Sequence, residues 1–72
     1  MTEVIAVIKK MRRLEVRNVV VSNKNFSKSL SYTLQRVTKD YFQMVGDSSS
    51  FPITLNDMER WFTNPEVDVQ IA

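Results

Sequence analysis

The stretch whose reading decides the fold is Asn25-Phe26-Ser27-Lys28-Ser29-Leu30-Ser31-Tyr32-Thr33-Leu34-Gln35-Arg36-Val37-Thr38-Lys39-Asp40-Tyr41-Phe42-Gln43-Met44-Val45. Its apolar residues Phe26, Leu30, Leu34, Val37, Tyr41 and Met44 recur at intervals of 4, 4, 3, 4 and 3. A period near 3.6 gathers such positions on one face of a helix, so the spacing predicts one long amphipathic helix over residues 25–45. Gly46 stands directly after it, where a left-handed C-cap would close the helix. On the far side of that helix Tyr32 and Phe42 would lie beside Lys28, Gln35 and Lys39. Aromatic rings among cations suit a protein interface or base stacking on nucleic acid. The plainer reading of Phe42 is that a loop through Phe51 and the indole of Trp61 cover it.

Toward the N-terminus, three consecutive valines, Val19, Val20 and Val21, favour a strand over residues 16–21, ended by Asn23 and Asn25. Before it, Val4, Val7, Ile8, Met11 and Leu14 are spaced by three and four, with Thr2 available as N-cap and Glu3 in the first turn. That pattern predicts an amphipathic helix over residues 2–15. The run Val4-Ile5-Ala6-Val7-Ile8 is also rich in β-branched residues, and a hairpin with residues 9–13 at its tip is the alternative.

Toward the C-terminus, Gly46, Asp47, three serines and Pro52 read as a loop. Thr54 is placed to cap a short helix, with Asp57 an anion in its first turn and Ile53 set to staple onto Met58. Asn64-Pro65 stops that helix near Phe62, because proline lacks an amide donor and disfavours helical geometry in the residue before it. The last segment, residues 66–71, alternates polar and apolar and reads as a strand with Val67, Val69 and Ile71 buried. The expected architecture is a small α+β domain spanning residues 1–72, in the order α-β-α-α-β. It has one long central helix and a minimal two-stranded sheet, which a partner strand would extend.

The chain has 72 residues, no cysteine and no histidine. A folded chain of this size exposes roughly 4,600 Å², and its stability must come from packing or association, without disulfide or zinc. Thiol and imidazole chemistry are excluded outright. Paired carboxylates are the remaining catalytic candidates. Asp57 with Glu59, and Glu66 with Asp68, are better explained as a helix-start charge and as the solvent face of a strand. One glycine cannot make a phosphate-cradling loop, and no calcium-loop spacing of Asp and Asn occurs. The sequence therefore predicts no enzyme activity, cofactor, metal or small-molecule substrate. No apolar run is long enough to span a bilayer, and the missing cysteines fit a reducing cytoplasm. Small size without cysteine is also compatible with a viral accessory protein.

The formal net charge is +2, yet the charges are unevenly spread. Residues 1–39 hold nine cations against Glu3 and Glu15, a balance of +7. Residues 40–72 hold Arg60 against six acids, a balance of −5. The densest feature is Lys9-Lys10-Met11-Arg12-Arg13, although short basic runs are commonplace on surface helices. The expected contact residues are Lys9, Lys10, Arg12, Arg13, Lys28, Tyr32, Lys39 and Phe42. The expected partner is another protein or a second copy of this chain, with nucleic acid, held by the basic half, as the alternative.

Overall fold

A computed structural model describes residues 2–25 and 27–72, with the side chain of Thr2 left aside. The elements are α1 (Thr2–Lys9), β1 (Val16–Asn23), β2 (Ser29–Arg36), β3 (Tyr41–Val45), β4 (Ser50–Thr54), α2 (Leu55–Phe62) and β5 (Val67–Ile71). The strands form one antiparallel sheet in the order β4-β3-β2-β1-β5. The domain is thus mostly β. It replaces the expected α-β-α-α-β arrangement with its long central helix and two-stranded sheet.

The correction lies in residues 25–45, which hold two strands and a turn instead of a helix. Phe26, one of the six residues that suggested the helix, lies outside the described residues, as does the expected capping role of the Thr2 side chain. An interval of four suits two strand steps as well as one helical turn, so Leu30 and Leu34 satisfy both readings. Tyr32 between them decides the matter, because Leu30, Tyr32, Leu34 and Arg36 then alternate with Ser29, Ser31, Thr33 and Gln35. The turn at residues 37–40 is closed by Val37 and Thr38 N–H groups donating to the Tyr41 carbonyl (3.0 and 3.1 Å).

Gly46 is not a helix cap and does not have a positive φ. It follows β3 at the place opposite Tyr32, and a Cβ there would meet the Tyr32 ring at 3.1 and 3.2 Å. The glycine keeps room for the ring. Phe51 and Pro52, expected in a loop, belong to the edge strand β4, where proline's missing donor is tolerated.

The register turns Val19, Val21, Leu34, Phe42, Met44, Ile53, Val67 and Val69 to one face of the sheet, where α1 and α2 cover them. From α1 come Val4, Ile5 and Ile8, and from α2 come Met58 and Phe62. The other face is open, and Asp68 is its one charged strand residue among those described. One helix layer on one sheet gives extents of 33 × 27 × 19 Å. The exposed area of 5009 Å² exceeds the size-based expectation, as suits a two-layer molecule with one bare face.

The outer elements stand close to their expected positions. Helix α2 starts where expected, with the Thr54 hydroxyl accepting from Asp57 N–H at 3.1 Å. Strand β5 buries Val67 and Val69 and exposes Asp68 and Gln70. Helix α1 is shorter than the predicted 2–15: it ends at Lys9, Met11 remains in the core, and Leu14 turns outward at 57% exposure. No described helix is long and apolar enough to cross a membrane.

Candidate interaction surface at the basic end

Arg36, the last residue of β2, organises one end of the molecule. Period-two alternation places its side chain on the covered face after Leu34, with the guanidinium carbon 4.9 Å from the centre of the Phe42 ring. Nη1 donates to the Lys9 carbonyl (3.1 Å) and to the Met11 carbonyl, while Nη2 donates to the Lys39 carbonyl (2.8 Å). One planar fork thereby joins the C-terminus of α1, the loop after it and the β2–β3 turn. A cation also suits a helix C-terminus, where carbonyls lack intrahelical partners. Nε is buried without a partner among the described residues.

The loop over residues 10–15 is held to the end of β2 by backbone bonds. Leu14 N–H donates to the Arg36 carbonyl (2.7 Å), Arg36 N–H donates to the Glu15 carbonyl (3.1 Å), and the Gln35 amide reaches the Leu14 carbonyl (3.4 Å). Leu14 itself has φ 66, the one positive value among the described non-glycine residues. The Glu15 carboxylate accepts from Arg12 N–H (3.0 Å) and from Arg17 Nε (2.7 Å). These bonds, the Arg12 amide first and the Arg17 guanidinium second, hold its pKa below the ordinary 4.5.

Two of the cations form ion pairs. Lys9 Nζ lies 3.0 Å from Glu59 Oε1, bridging α1 to α2, and Arg17 holds Glu15. Lys10, Arg12, Arg13 and Lys39 make no ion pair among the described residues. An open recess of about 520 Å³ is lined by Val7, Lys10, Arg12, Glu15 and Arg17. Exposed apolar residues accompany these cations: Leu14, then Val16 at 52% exposure and Tyr41.

The expected contact residues therefore divide. Lys9, Lys10, Arg12, Arg13 and Lys39 come to one end, brought together by Arg36 although the sequence separates Lys39 from the rest. Lys28 lies at the opposite end, between β1 and β2, on the wall of an apolar cleft with Leu30, Trp61 and Val67. Phe42 is 0% exposed and belongs to the core, so it cannot serve as a surface contact. Tyr32 is half-buried, edge-on to Phe51 (6.0 Å between centroids) and to Trp61 (6.3 Å). The helix face on which the spacing puts both aromatics does not exist. Neither Arg36 nor Leu14 is among the contact residues that the sequence predicts. The alternation of Leu30, Tyr32, Leu34 and Arg36 carries the signal for Arg36, whereas no local pattern marks the backbone of Leu14.

No cluster of three or more acidic side chains placed to hold a metal occurs among the described residues. In comparisons with known proteins, no family model, no curated protein and no solved structure matches the chain. The class rests on its own geometry: a five-stranded antiparallel sheet with two short helices on one face and a basic, partly apolar end.

Proposed function

We propose that the chain is a small non-enzymatic accessory protein that docks on another protein through its basic end. Leu14 is the apolar anchor, and Lys10, Arg12, Arg13 and Lys39 are the cations around it. The observation that carries the reading is the left-handed backbone of an exposed leucine. That conformation costs a non-glycine residue about 1–2 kcal/mol, and such strain gathers at functional contacts when surrounding bonds impose it. Here Arg36 and Gln35 impose it, while Leu14 stays 57% exposed in the free protein. An apolar anchor ringed by cations fits an acidic surface with an apolar pocket. The lack of histidine and cysteine supports the non-enzymatic reading, and the lack of cysteine supports a cytoplasmic setting.

The same cations suit phosphates, which makes nucleic acid the rival partner. With Tyr32 and Phe42 turned inward, the rings expected to stack on bases are withdrawn, and phosphate contacts alone give weak, non-specific binding. Four such contacts would give a log-log salt slope of about −3.6 on duplex DNA. The deciding experiment is affinity capture from the native cell with the wild type, Leu14→Ser, and Arg12→Glu with Arg13→Glu. One protein lost from both variants and insensitive to nuclease is the expected result. Capture that is abolished by nuclease and kept by Leu14→Ser would transfer the function to nucleic acid.

A further inference from the structure

The two edges of the sheet are not equivalent. Strand β4 carries Pro52 at its centre, a residue without an amide donor that discourages a further strand. Strand β5 carries no proline, and its pairing with β1 dictates what it offers. Ala72 N–H donates to the Asn18 carbonyl and Lys24 N–H to the Glu66 carbonyl, each at 2.9 Å. These pairs continue the register of Val20↔Gln70 and Ser22↔Asp68. Because bonded and non-bonded pairs alternate in an antiparallel ladder, Val67, Val69 and Ile71 direct their backbone groups away from β1. Val67 N–H is taken by the Asn64 carbonyl (3.0 Å). The carbonyls of all three residues, with the N–H groups of Val69 and Ile71, face the open edge without a strand partner among the described residues.

We propose that two copies of this chain join through β5, antiparallel and centred on Val69, into one continuous sheet. In that register Val69 exchanges both backbone bonds with Val69 of the second copy, and Val67 meets Ile71. The outward N–H and carbonyl of Val69 are those a bonded pair requires, whereas Val67 meets Ile71 through its carbonyl alone, its N–H being held by Asn64. On the open face, Asp68 of each copy stands opposite Gln70 of the other, a carboxylate beside an amide donor. Centring the pair on Asp68 would set two carboxylates against each other, which is unfavourable. The pair centred on Val69 uses neither Leu14 nor Arg12, so the inference stands without the docking function proposed above.

The short interface predicts a weak dimer, seen by sedimentation between about 10 µM and about 1 mM protein. Asp68 and Gln70 are exposed, so their substitution leaves the monomer folded, which circular dichroism checks. Gln70→Lys creates two opposite-charge pairs by symmetry and tightens the dimer about fivefold. Gln70→Glu creates two like-charge pairs and loosens it, and Asp68→Lys combined with Gln70→Glu restores it. The Val69 and Ile71 amides also gain protection from hydrogen exchange as concentration rises. Monomeric wild type and Gln70→Lys at the highest concentration, with no change in those amides, would overturn the proposal. So would a dimer that Gln70→Lys weakens, because that result places Gln70 against itself.

Discussion

Arg36 stands at the end of β2, yet its guanidinium joins the nearby Lys39 carbonyl to those of Lys9 and Met11, 27 and 25 residues away. Arg36→Lys keeps the charge and loses the fork, so it should cost about 1–3 kcal/mol in urea unfolding. A variant as stable as the wild type would show that the three carbonyls do not depend on the fork. Glu15 gives a pH-dependent term. Its folded pKa is lowered, so its contribution is complete above pH 4.5 and is lost as the pH falls below that value through the folded one. Glu15→Gln should therefore lose less stability than the wild type on acidification below pH 4.5. Parallel acid curves would show that Glu15 gains nothing from Arg12 and Arg17. For Leu14, Leu14→Asn places a residue that tolerates the left-handed backbone, and the fold should gain about 0.5–1 kcal/mol. Partner capture should fall with the same substitution, an opposition of stability and function expected where strain is retained for binding.

Strand β2 shows how far the elements were legible. In Ser29–Arg36 serine, threonine and glutamine alternate with leucine, tyrosine and arginine, but wider intervals of three and four ran through the same segment and suggested a helix. Propensity could have arbitrated, since serine, threonine and tyrosine are poor helix formers. Helix α2 was legible because Thr54, Asp57 and Asn64-Pro65 act within one or two turns of the chain. Strand β5 was legible from its alternation, although not its place beside β1, which a crossover from the opposite edge of the sheet provides. The basic run was plain in the sequence. That Arg36 would join the run to the turn at Lys39 was not, because its bonds to the Lys9 and Met11 carbonyls span 27 and 25 residues, which local spacing does not connect. Tyr32 now makes an element-scale prediction opposite to that of a surface ring. Tyr32→Ala should cost about 2–4 kcal/mol by removing the ring that joins β2 to Phe51 and Trp61. Gly46→Ala should cost about 1 kcal/mol alone and much less in a Tyr32→Ala background, since its new methyl would crowd that ring. Additive losses in urea unfolding would separate the glycine from the tyrosine.

At the scale of the whole molecule, covering one face of the sheet leaves three surfaces with different chemistry. Among the described residues, the open face has one charged strand residue, the β5 edge offers backbone groups, and the basic end offers Leu14 amid cations that make no ion pair. The +7 and −5 halves of the chain do not become two separate faces: Lys9 pairs with Glu59 across them, and Lys28 lies at the opposite end from Lys9, Lys10, Arg12, Arg13 and Lys39. The most direct measurement of the docking claim is photo-crosslinking in the native cell, with a photoreactive residue placed in turn at positions 14, 31 and 70 of the full chain. Position 14 should yield one crosslinked protein, position 70 a crosslink to a second copy, and position 31, on the open face, neither. Crosslinks from position 14 to nucleic acid, or the same protein captured more strongly from position 31, would contradict the assignment of function to the basic end.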